Sequence, residues 1–142
     1  MNTKTLFSSA SNEWTTPMWL FDQLNEEFKF TLDPCATDEN HLCDKYYTIK
    51  SNGLLMPWAY ETVFCNPPYG KELKLWVEKC FRENYENNTT VVLLMPARTD
   101  TKFFHSYIYN RAEIRFLKGR LKFGDARNSA PFPSMIVVFK KR

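Results

Sequence analysis

Short, continuously apolar runs alternate along the chain with segments in which apolar residues recur every three or four positions. The clearest run is residues 90–95, which are β-branched or long aliphatic throughout, as expected of a strand buried on both faces. Other runs that are apolar or alternate between apolar and polar residues cover residues 30–33, 62–65, 113–117 and 135–140. Their lengths are typical of strands, so the pattern predicts a strand at each of these places.

Helical spacing of apolar residues predicts helices over residues 17–28, over residues 72–85 and around Phe103, Phe104, Tyr107 and Ile108. Thr16 is placed to cap the first helix, with Pro17 at its first position, and Asp100 is placed to cap the last. Residues 37–61 include an Asn-Gly pair and a proline, and are predicted to be mostly loop with one or two short elements.

The order of these elements predicts the fold class. Strands that alternate with helices favour a three-layer α/β/α sandwich around a mainly parallel sheet. No helix is predicted between residues 113–117 and 135–140, so this last pair of strands is expected to be antiparallel. At 142 residues the chain has the length of one domain. We expect that domain to cover residues 13–142, after a flexible, polar N-terminal tail at residues 1–12.

The net charge of +3 is unevenly distributed along the chain. Residues 115–142 contain eight Lys or Arg and one acid, whereas the preceding 114 residues contain eleven basic and fifteen acidic residues. Much of the basic excess lies in a predicted loop at residues 118–134, whose cations and flanking glycines indicate a mobile arm that faces a polyanion. The alternative is a charged hairpin that contacts only solvent.

Other classes of protein are disfavoured by the composition. No run of 18 apolar residues is present, so no membrane-spanning helix is predicted, and residues 1–11 lack the apolar stretch of a signal peptide. The four cysteines form no C-x-x-C pair, which favours reduced thiols in the cytoplasm. Cys35, His41 and Cys43 lie close in sequence, but their spacing matches no zinc motif, so we expect no metal site.

A strand–turn–helix motif carries the candidate chemistry. Asn66-Pro67-Pro68-Tyr69 directly follows the strand at residues 62–65 and precedes a helix. Such a rigid turn directs a side-chain amide and backbone carbonyls into the cleft where ligands of α/β sheets bind. The Asn66 amide oxygen and the Pro67 carbonyl can each accept one N–H of a planar amine, and the Tyr69 ring can stack on its face at the mouth of the cleft. The alternative is an ordinary Pro-rich turn with Tyr69 in the core.

The motif resembles the catalytic motif of amino-directed methyltransferases that use S-adenosylmethionine, with Asn66, Pro67, Pro68 and Tyr69 as the implied catalytic residues. The whole chain resembles the phage-type DNA N-6-adenine methyltransferase family, a Dam-like group, through stretches in the family's order at residues 14–17, 32–37, 66–70, 94–101, 119–124 and 130–134. The resemblance implies an abbreviated Rossmann-like fold. It also implies methylation of the exocyclic amine of adenine in DNA, by a phage or prophage protein in the cytoplasm of a bacterial host.

The same resemblance implies where S-adenosylmethionine binds. The implied contacts are Thr16, Pro17, Asp33, Pro34, Cys35, Ala36 and Asn66. In related enzymes the loop after the first strand is rich in glycine, whereas the first glycine of this chain is Gly53. The small side chains of Ala36 and Thr37 are expected to allow the same close approach of the cofactor.

DNA is the implied partner, and its adenine must flip out of the duplex to reach such a cleft. The expected DNA contacts are Arg98, Lys118, Arg120, Lys122 and Arg127. Two alternatives stay open: a methyltransferase for RNA or for a protein amide nitrogen, and an inactive relative that only binds nucleic acid. The sequence leaves the oligomeric state open.

Asn66→Ala is expected nearly to abolish methyl transfer while the fold and cofactor binding persist. Loss of one preorganised hydrogen-bonding group of this kind costs about 10²–10³ in rate. Turnover with labelled S-adenosylmethionine, measured beside cofactor affinity by calorimetry, checks this prediction. Wild-type turnover by Asn66→Ala would show that Asn66 takes no part in the reaction.

Overall fold

The computed structural model describes residues 14–124 and 128–142; the predicted tail at residues 1–12 and Arg127 lie outside the described residues. The elements are α1 (Met18–Phe28), β1 (Leu32–Asp33), β2 (Lys45–Tyr46), β3 (Thr62–Cys65), α2 (Leu73–Asn87), β4 (Thr90–Pro96), a π-helical segment (Phe104–Ile108), β5 (Glu113–Phe116) and β6 (Ser134–Phe139). One or two short elements were predicted within residues 37–61, and β2 is such an element.

The six strands of the described residues form one sheet in the order β2-β1-β3-β4-β6-β5. The pairs β2–β1, β1–β3 and β3–β4 are parallel, whereas β6 runs antiparallel to both β4 and β5. A mainly parallel sheet with an antiparallel last pair confirms the predicted fold class. Since β1, β3, β4 and β5 point the same way, the segments that follow them leave the sheet at one edge, called here the carboxyl edge.

Successive side chains of β3 place the two α-helices on opposite faces of the sheet. The Phe64 ring packs against Phe21 of α1, with 5.4 Å between the ring centroids. The thiol of the next residue, Cys65, lies beside that of Cys80 of α2, and both residues are fully buried. Because neighbouring residues of a strand point to opposite faces, α1 and α2 cover different faces and complete the three layers.

The core is centred on β4 and β6. Every residue of β6 is buried, as is every residue of β4 after Thr90. The two strands pair over their full shared length, from Val91 opposite Phe139 to Pro96 opposite Ser134. Such continuously apolar strands require cover on both faces, which the helical layers supply.

Both predicted helix caps are wrong. α1 begins after Pro17 without a side-chain cap, because the Thr16 hydroxyl accepts a hydrogen bond from Asn66 instead. Before the π-helical segment, the oxygen that accepts the Phe104 N–H, at 3.3 Å, belongs to Thr101 rather than to Asp100. At Thr16, a contact with a distant residue has overridden the local preference for capping.

The expectation of a mobile arm at residues 118–134 is wrong for the described part of that loop. Leu121 and Phe123 are each only 5% exposed, and the Leu121 carbonyl accepts the N–H of Ala130 at 2.8 Å. Arg120 and Lys122, which alternate with these apolar residues, are exposed. The loop therefore presents its cations from a packed backbone.

Gly53→Ala is expected to destabilise the fold, because a Cβ there would lie 2.1 Å from the Pro34 carbonyl oxygen and 3.0 Å from the Trp76 ring. The backbone has to shift to relieve this contact, at a cost of about 3 kcal/mol. Urea denaturation measures the change in the free energy of unfolding.

Gly119→Ala is the matched control, because a Cβ at that position meets no atom within 4 Å. Its positive φ of +72° is expected to cost only about 1 kcal/mol. Equal losses in the two variants would show that Gly53 is not needed for the close contact with Pro34.

Candidate active site

A cleft of about 800 Å³ opens at the carboxyl edge, beside the ends of β1 and β3. It is lined by Gly124 and by residues within four stretches of chain, 14–18, 33–42, 48–53 and 66–76. The predicted site residues that line it are Thr16, Asp33, Pro34, Cys35, Ala36, Asn66, Pro67 and Pro68. The structure thus brings the motif and the predicted cofactor loop to one cleft, whereas Pro17 and Tyr69 do not line it.

The Asn66 side chain is held by three hydrogen bonds. Its amide nitrogen donates to the Trp14 carbonyl and, at 2.9 Å, to the Thr16 hydroxyl. Its amide oxygen accepts from the Tyr69 hydroxyl at 2.8 Å. Because the Trp14 carbonyl can only accept, it determines which end of the amide is the nitrogen. The amide oxygen retains one lone pair that can accept a hydrogen bond from a ligand.

Tyr69 lies in the core, 3% exposed, rather than at the mouth of the cleft. Its ring is surrounded by the rings of Trp14, Phe123 and Phe132, whose centroids lie 6.4, 6.1 and 5.7 Å away. These four residues are called the aromatic cluster. Burial raises the pKa of the Tyr69 hydroxyl well above its usual value, so the group stays protonated and donates a hydrogen bond. A base could stack on this ring only after one of the neighbouring rings moved.

Trp14, Phe123 and Phe132 are residues near the motif to which the sequence analysis assigned no role. Each lies in one of the stretches that resemble the phage-type family, at residues 14–17, 119–124 and 130–134. The aromatic residue in each stretch was the available signal. An aromatic residue in each stretch does not by itself predict a cluster, because the local sequence does not show which distant stretches meet in the fold.

The carboxylate of Asp33 holds the loop that lines the cleft after β1. One of its oxygens accepts the N–H of Cys35 at 3.2 Å, and the other accepts the N–H of Leu42 at 3.0 Å. Burial raises the pKa of Asp33, and the two hydrogen bonds partly oppose that rise. This carboxylate gives the loop a defined shape without glycine, because it satisfies backbone donors from two parts of the loop.

Gly53 provides a close backbone contact at the cleft from a different part of the chain. It lines the cleft, and its missing side chain leaves room for the Pro34 carbonyl. The indole N–H of Trp58, which is fully buried, donates to the Gly53 carbonyl at 3.0 Å and holds this segment in place. The loop after β1 contains no glycine itself, but Gly53 from another part of the chain packs closely against it.

The charge of the cleft favours a cationic ligand. Among the described residues that line it are two acids, Asp33 and Glu72, and no Lys, Arg or His. Opposite charge on the walls of a cleft attracts a ligand and helps to select it.

Comparison with known proteins identifies the family. A sequence model of the DNA N-6-adenine-methyltransferase (Dam) family matches residues 3–142. The chain belongs to this family. This match, together with the two phage relatives described next, confirms the resemblance expected from the ordered stretches.

Two similar proteins from phages are named DNA N-6-adenine-methyltransferase. The chain is 30% identical over 149 residues to the DNA N-6-adenine-methyltransferase of Haemophilus phage HP1 (strain HP1c1), with 99% of this chain and 84% of that protein covered. It is 33% identical over 110 residues to the DNA N-6-adenine-methyltransferase of Escherichia phage T1. That second alignment covers 76% of this chain and 45% of the phage T1 protein.

The cations of this Dam-family chain differ in whether they make ion pairs within the fold. Arg115 pairs with Glu27 at 2.8 Å, and Lys140 pairs with Glu113 at 2.6 Å, so these charges are used within the fold. The predicted DNA contacts that are exposed and make no ion pair with another described residue are Arg98, Lys118, Arg120 and Lys122. These cations remain available to a partner.

Within residues 14–124 and 128–142, no three His, Cys, Asp or Glu side chains are grouped so that they could hold a metal ion. None of the four cysteines, all of which are described, forms a disulfide. No helix in the part of the chain that the structure describes is long and apolar enough to cross a membrane.

Proposed function

We propose that this protein transfers a methyl group from S-adenosylmethionine to the exocyclic amine of adenine in DNA. The observation that carries the proposal is the Asn66 amide, oriented by three partners in a cleft that Pro67 also lines. The description of the family and the names of both phage relatives support adenine in DNA as the substrate.

The motif is proposed to act by accepting hydrogen bonds from the amine. The lone pair of an exocyclic amine is delocalised into the ring, which makes the nitrogen a poor nucleophile. Acceptors at Asn66 and Pro67, outside the plane of the ring, favour a more tetrahedral nitrogen whose lone pair is available. When the new carbon–nitrogen bond forms, the nitrogen becomes cationic and releases a proton readily, so no strong base is required. The rigid turn contributes further by holding the acceptors in place.

The residues of the cleft fit S-adenosylmethionine, which carries a positive charge on sulfur. The lining acids complement that charge, and about 800 Å³ lies within the usual range of small-molecule sites. When bound, this cofactor supplies the methyl group as an electrophile, because the sulfur–carbon bond breaks to leave a neutral thioether. The residues proposed to hold it are Thr16, Asp33, Pro34, Cys35, Ala36 and Asn66, with Pro17 acting through the start of α1.

DNA is proposed to bind along the carboxyl edge. Arg98 follows β4 and Lys118, Arg120 and Lys122 follow β5, so all four leave the sheet at the edge where the cleft opens. Arg127 is proposed to contact DNA from the same loop. Flipping of the adenine costs a few kcal/mol, which contacts between these cations and phosphates offset.

Both relatives come from phages, which supports a phage or prophage source and action in the cytoplasm of a bacterial host. The match of the family to residues 3–142 supports a single methyltransferase domain over residues 13–142, with the basic loop at residues 118–134 as part of it.

Two measurements test the proposed function. Calorimetry is expected to show binding of S-adenosylmethionine and of its demethylated product. The protein is expressed in cells that lack their own adenine methyltransferase, and their plasmid DNA is digested to nucleosides. We expect N6-methyladenine in DNA from cells with the wild-type protein and none in DNA from cells with Asn66→Ala. If RNA or protein is methylated and DNA is not, the substrate is RNA or protein rather than DNA. Failure to bind the cofactor would indicate an inactive relative.

Changing both Arg120 and Lys122 to Ala is expected to weaken binding to all DNA sequences alike. If each cation neutralises one phosphate, the slope of log affinity against log salt falls by about 0.9 per residue, or roughly 2 for the pair. Fluorescence anisotropy with labelled duplexes over a range of salt concentrations measures this slope. An unchanged slope would mean that DNA phosphates do not bind Arg120 and Lys122. A loss of affinity for some DNA sequences only would mean that the loop contacts bases.

The control for this experiment changes Lys29 and Lys141 to Ala. Both are exposed, but Lys29 precedes β1 and Lys141 follows the antiparallel β6, so both lie at the edge opposite the cleft. This pair is expected to leave the salt slope unchanged. A similar fall in both double variants would mean that overall charge, rather than the loop, determines the slope.

A further inference from the structure

The outer face of α1 begins with two large apolar side chains that lie outside the core. Met18 and Trp19 are 54% and 59% exposed, and they follow each other in the first turn of the helix. The inner face of the same helix buries Leu20, Phe21 and Leu24. Two large apolar side chains exposed side by side favour a contact with a partner. Met18 and Trp19 together are called here the apolar rim.

Trp19 differs from the other three tryptophans of the chain. Trp58 and Trp76 are 0% and 5% exposed, and the half-buried Trp14 belongs to the aromatic cluster. The Trp19 side chain makes no hydrogen bond, ring contact or cation–π contact with another described residue. Packing within the described fold therefore does not explain this indole ring, which is available to a partner.

The apolar rim lies beside the cleft. The Thr16 hydroxyl accepts a hydrogen bond from Asn66, directly after β3, and thereby holds the start of α1 at the carboxyl edge. Met18 lines the cleft, whereas Trp19 does not. Successive residues of a helix are turned by about 100° around its axis, so Trp19 points away from the cleft on the outer side of the same wall. A ring stacked on Trp19 would therefore lie next to a base bound in the cleft rather than inside the cleft.

The cations beside the apolar rim suit a polyanion. The Thr15 carbonyl accepts the N–H of Gly124 at 2.8 Å, so the basic loop rests on the segment that leads into α1. Arg120 and Lys122 of that loop are exposed and make no ion pair with another described residue. The first acid of α1, Asp22, lies one turn further from the carboxyl edge. Because an acid repels phosphate, this charge pattern limits a nucleic-acid contact on α1 to its first turn.

We propose that Trp19 stacks on a base of the DNA beside the flipped adenine, while the cations of the basic loop hold neighbouring phosphates. Cations combined with an exposed aromatic ring bind unpaired bases in nucleic acids, since every base has a face on which a ring can stack. A flipped adenine leaves the neighbouring bases without a stacking partner on one side, and the indole ring supplies one. This inference rests on the proposed function, because it takes DNA as the partner.

Two single-stranded oligonucleotides of equal length test the inference by fluorescence anisotropy. One has a mixed sequence, and the other consists of abasic nucleotides, which keep the phosphates and lack the bases. Single strands present every base unpaired, so the test does not depend on the target sequence. Trp19→Ala is expected to weaken binding of the mixed strand about tenfold, the effect of losing one stacked base, and to leave binding of the abasic strand unchanged. The slope of log affinity against log salt is expected to match wild type, because no phosphate contact is lost.

Tryptophan fluorescence reports the stacking of Trp19 directly. The mixed strand is expected to quench the emission of the wild-type protein and to quench that of Trp19→Phe much less, whereas the abasic strand is expected to quench neither. Trp19→Phe retains a ring and is expected to bind the mixed strand more tightly than Trp19→Ala does. Equal quenching of wild type and Trp19→Phe, or equal weakening of both strands by Trp19→Ala, would overturn the inference.

Tyr60→Ala is the matched control. Tyr60 is also an exposed aromatic residue, but it precedes β3 and so lies at the edge opposite the cleft. This variant is expected to bind both strands as wild type does. The same loss of affinity in Tyr60→Ala would show that position beside the cleft is irrelevant, and would count against Trp19. Conversion of a dimer into a monomer by Trp19→Ala, seen by sedimentation, would make the apolar rim an interface between two copies of the chain and would also overturn the inference.

Methylation is measured separately, so the inference and the proposed function can fail independently. A wild-type protein that methylates no adenine would refute the proposed function, and the two strands would still decide whether Trp19 stacks on a base. A protein that produces N6-methyladenine but whose Trp19 emission is not quenched would overturn this inference alone.

Discussion

The hydrogen bonds from the Asn66 amide to Trp14 and Thr16 join parts of the chain that are 52 and 50 residues apart. They hold the segment before α1 across the end of β3, where it forms one wall of the cleft. The residue between these two partners, Thr15, accepts the backbone N–H of Gly124 at 2.8 Å, so the basic loop rests on the same segment. The segment at residues 14–16 thus forms part of the cleft wall, contacts the basic loop and contributes Trp14 to the aromatic cluster.

The topology of the sheet places exposed basic residues at the carboxyl edge. Because β6 enters between β4 and β5 in the antiparallel direction, the connection from β5 to β6 lies at the carboxyl edge. That connection carries Lys118, Arg120 and Lys122, which make no ion pair with another described residue. Near the opposite edge, Glu113 at the start of β5 pairs with Lys140 after β6. A single antiparallel strand thereby places basic residues beside the cleft.

The fold class, and the meeting of the motif with the loop after β1 at one cleft, could be predicted because their signals are local. A continuous apolar run marks a strand covered on both faces, and β3 has the predicted bounds at residues 62–65. The errors concern side chains whose partners are far away in sequence. Thr16 has the residue type of a cap but contacts Asn66, and Tyr69 is in the core because Trp14, Phe123 and Phe132 meet there. The packing of the basic loop, in contrast, was readable from the alternation of apolar and basic residues at 120–123.

The alternation within that loop limits how the protein can be redesigned. Phe123 and Phe132 belong to the aromatic cluster around Tyr69, so an exchange of the whole loop for that of a relative would also replace packing beside the motif at residues 66–69. Exposed positions such as 118, 120 and 122 carry no such constraint. Evolution or engineering can therefore alter the exposed charges of the loop one side chain at a time, while the buried positions between them keep the motif in place.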